Sequence, residues 1–357
     1  MKVCILGNGL SSLSLAQALT NLGVYVDIFP NQKIKNQNKT RTLGISKSNI
    51  DFFNLSILNI EKFLWDIKKI EVYSENLNNE KILDFENSEK RLFSMVKNFQ
   101  LSNHLMSNLK KNKFFKLKNK FTYKDVIGSN YKLVINCDYN NELTKKFFYN
   151  KFEKNYKGFA HTAIINHEEI LNNTVASQIF TKKGPIAFLP ISKNQTSVVY
   201  SAVGLKDIDL KKIIKKYNYK YKIKKISDSF SFKLSASNLR TYYYKNILAF
   251  GDLLHKLHPL AGQGFNMSLR DIKELIRLIS IKLNNGLDID SSICCDFEKN
   301  VKHKNYIFLN SIDFIYEIFN IENKFNKDIL SRSIKLIGKN KFTNNLFTKF
   351  ADNGIMI

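Results

Sequence analysis

The first thirty residues alternate between apolar runs and a helical period. Lys2–Leu6 reads as a short buried strand, and Gly7-Asn8-Gly9-Leu10-Ser11-Ser12 follows it. Leu13, Ala16, Leu19 and Leu22 then recur on one face of a predicted helix that Gly23 closes, and Val24–Phe29 resumes as a strand. Strand, helix and strand in this order predict a βαβ unit, with a ligand site at the strand C-termini. Residues 31–41 are polar and loop-like. A helix is expected around Lys47–Leu58, strands of a second sheet at Ile70–Tyr73 and Ile82–Phe85, and a helix over Val96–Leu109. Tyr131–Asn136 is another strand. Strand-like alternation dominates 155–235, at Gly158–Asn166, Thr174–Thr181, Ile186–Pro190 and Ser197–Val203. After Asp271 helical spacing runs to the end of the sequence. The order predicts an α/β protein: a β-rich insertion between two halves of a nucleotide-binding domain.

Composition narrows the partners. The chain has 357 residues, 44% of them hydrophobic, which supports a large core and excludes global disorder. Its 56 Lys and Arg against 31 Asp and Glu leave +25, which invites an anionic partner. The lysines are dispersed and no Arg-rich tract or nucleic-acid module occurs, so nucleic acid is not expected. Cys4, Cys137, Cys294 and Cys295 form no CxxC pair and no ligand spacing with the histidines, so no metal site is expected and a reducing cytosol is. No apolar run approaches the roughly 20 residues of a bilayer span. A soluble or peripheral, cytoplasmic protein is the expectation.

Two glycine turns carry the chemistry. Gly7-x-Gly9-x-x-Ser12 lies between a strand and a helix, as in the dinucleotide fingerprint. There the first glycine makes the turn, the second admits a pyrophosphate, and a small third residue allows close packing. The acidic residue expected about 20 positions on is missing. Pro30 stands there and Asp27 lies inside the strand, so the ribose contact is lost or falls to Asn31. The second turn lies in the segment Ile247–Asp271. An apolar strand ends in Gly251-Asp252, and Pro259, Gly262 and Gly264 precede a helix with Leu269, Ile272, Leu275 and Ile276 in period. Glycines at a helix start leave N–H groups facing an electron-rich ligand. His255 and His258 lack further metal-ligand partners. Arg41 is either a surface arginine or one that reaches a pyrophosphate or ring edge.

With these in hand, the chain resembles the class A flavin-dependent aromatic hydroxylases, and within them the ubiquinone-biosynthesis ring hydroxylases. Gly251-Asp252 and His258-Pro-Leu-Ala-Gly-Gln-Gly-Phe-Asn266, running on to Asp271, resemble that subfamily's second FAD motif. Arg41-Thr-Leu-Gly-Ile-Ser46 resembles its Arg-x-x-x-x-Ser element, and Ala176–Pro190 its substrate-domain core. The resemblance implies a Rossmann-like, glutathione-reductase-type FAD-binding domain from 1–70, 96–154 and 236–290. It further implies a β-rich substrate domain from 71–95 and 155–235, and a helical region over 291–357.

For the site, the resemblance implies FAD held by Gly7, Gly9, Ser12, Arg41, Asp138, Gly251, Asp252, Gly262, Gln263, Gly264, Phe265 and Asn266. NAD(P)H would be the reductant, and a flavin hydroperoxide would deliver oxygen to the ring of a polyprenyl phenol. The flavin carries the chemistry, so no catalytic side chain is assigned; His258 and Pro259 are the nearest candidates. Phe180, Pro185, Phe188 and Pro190 are expected to wall the substrate pocket. Basic charge with Phe314, Ile315, Ile318 and Phe319 suits docking at the inner face of a membrane, and membership of a quinone-synthesis complex is a further expectation. One departure stands out. The family's central Asp-Gly motif, with its Ser and Arg, reads here Cys137-Asp138-Tyr139-Asn140-Asn141-Glu142, with Lys145 and Lys146 at the arginine's place. Only the aspartate is kept. That leaves open a non-catalytic FAD-binding or scaffold role, and equally a flavin hydroxylase or reductase for another aromatic or isoprenoid substrate.

Overall fold

A computed structural model describes residues 1–31, 39–86, 91–119, 131–204, 206–257 and 262–325. The chain opens with β1 (Lys2–Leu6), α1 (Leu10–Asn21) and β2 (Tyr25–Phe29), the predicted βαβ unit. Next come β3 (Thr42–Ser46), α2 (Lys47–Ser56), β4 (Trp65–Ile67), β5 (Lys69–Ser74), β6 (Glu80–Glu86), β7 (Phe93–Lys97) and α3 (Asn98–Lys111). β8 (Phe115–Leu117), β9 (Leu133–Asn136) and α4 (Glu142–Phe147) lead to β10 (Lys151–His167), β11 (Val175–Thr181), β12 (Gly184–Pro190) and β13 (Gln195–Val203). α5 (Leu210–Tyr217) precedes β14 (Ile223–Ile226) and β15 (Phe230–Leu239). The last elements are β16 (Tyr243–Tyr244), β17 (Ile247–Ala249), β18 (His255–Lys256), α6 (Gln263–Asn284) and α7 (Ser292–Phe325).

Three sheets organise these elements among the described residues. The first has six strands in the order β16-β17-β9-β1-β2-β8, parallel except for β16 against β17. Val3 to Leu6 and Leu133 to Asn136 are buried throughout, because helices cover both faces of a parallel sheet. The large core against it takes in Leu13, Leu15 and Leu19 of α1, Leu101 and Leu105 of α3, and Leu269, Ile272, Leu275 and Ile279 of α6. Those α6 positions recur every three or four residues, while Lys273 and Arg277 face solvent.

The second sheet has nine strands, running β18-β15-β10-β13-β12-β11-β5-β6 with β14 beside β10. One face is covered by α5 through Leu210 and Ile214, packed with Ile186, Phe188 and Tyr200. The other face meets α6 and α7, where Phe180 packs with Met267, Phe308 and Ile312. A small third sheet, β3-β7-β4, bridges the two. It differs from the sequence expectation, which read a helix from Val96 and no strand at Thr42–Ser46. Phe93–Lys97 and Thr42–Ser46 pair antiparallel, and the helix begins only at Asn98. Each strand alone is too short to declare its period.

Candidate functional site

The βαβ turn is built for a close approach by something polar. Gly7 follows β1 at φ +102°, a left-handed conformation that any side chain would strain, and a Cβ there would touch Cys137 and Asp138 at 3.5 to 3.6 Å. Gly9 caps α1 with no side-chain bond to the helix, and a Cβ at Gly9 would meet nothing within 4 Å. No side chain caps the first turn of α1, and the space beside Gly9 is open. Ser12 is buried, and its hydroxyl has no hydrogen-bond partner among the described residues beyond the weakly bonding Cys137 thiol beside it. Asn8 Oδ1 is enclosed and unpartnered in the same sense. Uncapped donors and orphaned polar atoms in one turn fit the pyrophosphate of a dinucleotide.

Gly251 and Asp252 join this turn. A Cβ on Gly251 would meet the Ser11 side chain at 3.1 Å. Burial pushes the Cys137 thiol up to about 12; the Ser12 hydroxyl opposes the shift, and the charges of Asp252 and Asp138 add to it. The shift keeps the thiol protonated at neutral pH and reflects two carboxylates near it. Asp252 is exposed and open to a hydroxylated ligand. The structure thus brings together Gly7, Gly9, Ser12, Asp138, Gly251 and Asp252.

Asp138 is partly committed. Its Oδ1 accepts from Asn31 Nδ2 at 2.8 Å and from the Asn140 N–H at 2.9 Å. Since β1 lies between β2 and β9, the Asn31–Asp138 bond spans the end of β1. Behind it stands a knot of amides and a hydroxyl. Asn141 Nδ2 donates to buried Asn136 Oδ1 at 2.7 Å, Asn136 Nδ2 donates to Thr144 Oγ1 at 2.9 Å, and Thr144 Oγ1 donates to the Asp138 carbonyl at 2.6 Å. Asn141 also caps α4 through the Thr144 N–H. Asn136 and Thr144 carried no sequence signal; each is a polar residue read as part of a strand or a loop.

The second turn is fastened to β3. Gly262 starts α6 at φ +64° without a side-chain cap, and a Cβ there would touch the Gly44 backbone at 3.6 Å. Asn266 is buried and holds the two segments together. Its Nδ2 donates to the Gly44 carbonyl at 2.9 Å, and its Oδ1 accepts from the Ser46 N–H at 2.9 Å and from Asn49 Nδ2 at 3.0 Å. Gly264 has open space where a Cβ would lie. Gln263 is buried and accepts from Arg270 at 3.5 Å, whereas the Phe265 ring packs into the core against Phe53. Arg41 is exposed, its carbonyl receiving the Asn98 N–H at 3.0 Å, next to Thr42, which donates to Ser197 of the large sheet at 2.8 Å. His258 and Pro259 lie outside the described residues.

His255 lies just before this turn, buried with its Nε2 against the Asp271 carboxylate. Asp271 also accepts from Asn305 Nδ2 of α7 at 3.1 Å. The pair closes the base of the strand-turn-helix segment, so His255 is engaged structurally.

The four expected pocket residues do not share a surface. Phe180 and Pro185 are cross-strand partners on the face that meets α6 and α7. Phe188 lies on the opposite face under α5, against Tyr221, and Pro190 follows it by strand alternation. The face that carries Phe180 and Pro185 also carries Thr162 and Ser197, which meet Thr40 and Thr42 on the side towards β3.

The fold is that of the FAD-dependent aromatic monooxygenases. p-Nitrophenol 4-monooxygenase PnpA from Pseudomonas putida DLL-E4 superposes with a TM-score of 0.77 at 13% identity, over 99% of this chain and 98% of that one. HpxO of Klebsiella pneumoniae, complexed with FAD and uric acid, gives 0.74 at 12% identity, over 99% of this chain and 97% of that one. Within that class the sequence relatives are narrower: the chain is similar to ubiquinone-biosynthesis monooxygenases. The mitochondrial COQ6 of Schizosaccharomyces pombe is 22% identical over 274 residues, 63% of this chain and 57% of that protein. Human COQ6 is 27% identical over 233 residues, 53% and 50% of the two chains. The chain thus spans about half the length of the curated relatives it matches. No family model matches it.

Proposed function

We propose that the chain is an FAD-dependent monooxygenase that hydroxylates the aromatic ring of a polyprenyl phenol in ubiquinone biosynthesis, with NAD(P)H as reductant. The observation that supports it is a pair of helix starts in the two glycine turns, α1 at Gly9 and α6 at Gly262, neither of which has a side-chain cap. Gly9, Ser12 and the α1 N–H groups would hold the pyrophosphate, and Asp252 would accept from ribityl hydroxyls. The N–H groups from Gly262 onward would face the electron-rich edge of the flavin ring. FAD, when bound, supplies the activation of dioxygen for transfer to an electron-rich ring. The residues of the chain orient it: Asn266 fixes the second turn to β3, and the His255–Asp271 pair fixes its base. Purified protein should take up FAD, oxidise NAD(P)H and add oxygen to a prenylated phenol. Failure to take up FAD on reconstitution would refute this reading.

A second reading rests on the amide knot around Asp138. With Tyr139, Asn140 and Asn141 after Asp138, and Lys145 and Lys146 at the place of the arginine in the motif it resembles, the chain would bind FAD as a non-catalytic member of a quinone-synthesis assembly. Bound FAD with no NAD(P)H consumption, even with substrate and membranes present, would favour it.

For the membrane contact, α7 supports a surface role. No helix among the described residues is long and apolar enough to cross a bilayer. Yet Tyr306 and Phe314 are 48% and 66% exposed, two turns apart on one face of α7, beside exposed Lys299, His303 and Lys304. The side chains of Ile315, Ile318 and Phe319 lie outside the described ones. Phe152, ringed against Tyr306 and covered by the Arg240 guanidinium at 4.3 Å, widens that face. Aromatic and basic groups together suit the headgroup region of an anionic membrane.

A further inference from the structure

A concentration of unmatched charge lies apart from the glycine turns, on α5 and β14. Between Lys206 and Ile226 nine lysines stand against two aspartates, so this stretch carries +7 of the chain's +25. The two elements share one apolar core. Leu210, Ile213 and Ile214 of the helix and Ile223 and Ile226 of the strand pack with residues of the large sheet. With those side chains turned inward, the lysines of both elements are left exposed. The surface lies across the sheet from α6 and α7, which cover the other face at Phe180.

On α5 these charges work against the fold. Asp209 caps the helix, but Lys211 and Lys212 sit in its first turn, where the helix dipole opposes a cation and no acidic residue stands. Lys211 with Lys215, and Lys212 with Lys216, are like charges four residues apart and repel each other. Lys212, Lys216 and Lys222 have carboxylates at 3.8, 3.1 and 3.5 Å in Asp209, Glu75 and Glu168. Lys211, Lys215, Lys224 and Lys225 have none within ion-pair distance among the described residues. Lysines on an edge strand deter pairing with other strands, which accounts for Lys224 and Lys225 on β14. A helix has no such edge to protect. The other lysine-rich stretch breaks no rule of this kind: Lys110 and Lys111 fall in the last turn of α3, where cations are favoured, and Lys113 rests over the Phe114 ring at 5.2 Å. Residues that oppose local stability with no gain inside the fold mark a functional surface.

We propose that α5 and β14 form a docking surface for an acidic protein segment, whose carboxylates the exposed lysines steer and hold. The chemistry of the surface separates this partner from two others. A bilayer takes up the apolar face of a helix, and that of α5 is occupied by the sheet. Nucleic acid is held by arginine forks on phosphate and by successive rings under the bases. Residues 206–226 contain no arginine. Tyr221 is buried, and the Tyr217 hydroxyl is tied to Glu75 and Lys216, which leaves Tyr219 as the one open ring of the three. A carboxylate meets a lysine ammonium as one point charge meets another and needs neither device.

The test measures binding of a fluorescent oligoglutamate to the full chain by anisotropy, at low and at physiological ionic strength. A single-stranded RNA and phosphatidylglycerol vesicles serve as further probes. Two quadruple variants of equal net charge are compared. One carries Lys211→Glu, Lys212→Glu, Lys215→Glu and Lys224→Glu; the other carries Lys110→Glu, Lys111→Glu, Lys113→Glu and Lys116→Glu. Oligoglutamate affinity should fall about tenfold or more in the first, the scale of four exposed ion pairs, and no more than about threefold in the second. RNA and vesicle binding should fall by similar factors in both, as net charge alone dictates. The urea midpoint of the first variant should not fall, since glutamate suits the first turn of α5, and FAD uptake should be unchanged. Absence of oligoglutamate binding to the parent chain, or equal losses in the two variants, would overturn the proposal. A loss confined to the α5 variant that is larger for RNA or for vesicles than for oligoglutamate would also overturn it and assign the surface to that partner.

Discussion

Asp27 shows how a charge inside a parallel strand is accommodated. Its carboxylate is buried, accepts from Tyr131 Oη at 2.6 Å and pairs with Lys2 at 2.9 Å and Lys118 at 3.6 Å. Burial alone would raise its pKa; the Tyr131 hydroxyl and the two lysines outweigh burial and hold it below the usual carboxylate range. A depressed native pKa gives stability that is complete above the unfolded value of about 4 and lost as pH falls through the native value. Asp27→Asn should therefore lower the urea midpoint at pH 7, and the difference from the parent should shrink as the pH is taken below 4. At the first turn, Gly9→Val should abolish FAD uptake, since the side chain would fill the space over the helix start. The fold should lose only about 1 kcal/mol by urea unfolding, because nothing of the protein is struck there. Asn266→Ala should cost about 2–4 kcal/mol, because it strips partners from Ser46 N, Asn49 and the Gly44 carbonyl at once.

At the scale of elements, the clearest dependency is that of the α6 turn on the pair behind it. Asp271→Leu removes the partner of both His255 and Asn305 in a buried setting and should destabilise by about 3 kcal/mol. Amide exchange should quicken first in the opening turns of α6, ahead of β1 and β9. The elements also show what the sequence could reveal. The βαβ unit and α6 were legible because their periods run long and their glycines punctuate them. β3, β4 and β7 were not, because three- to five-residue strands have no period of their own and exist by pairing with one another. The same limit hid part of the site. Gly7, Gly262 and Asn266 were visible as a motif, whereas Asn31 and Asp138 meet only because β1 separates their strands in space. Which of Phe180 and Phe188 faces α6 depends on strand parity against a partner sheet, and a one-residue change in register inverts it.

For the whole molecule, charge and exposed aromatics give a testable surface. At +25 the chain should float with phosphatidylglycerol vesicles and not with phosphatidylcholine, and release with rising salt. Phe314→Glu should weaken the association roughly tenfold at little cost in stability, because this residue is 66% exposed. Flotation at several ionic strengths checks both. The strand order β17-β9-β1-β2 bears on a different matter, how the chain survives its own synthesis. Val134 of β9 finds its second neighbour only in Ile247, so between their emergence a ribosome spends roughly 6 to 23 s. Throughout that interval the apolar edge of Leu133–Asn136 offers unpaired backbone groups to any other strand, including those of a sister nascent chain. Release of chains ending before Ile247 should thus yield aggregates, while chains carrying β17 stay dispersed. Yield in the cell should therefore respond to the time this edge waits as well as to the stability of the finished fold.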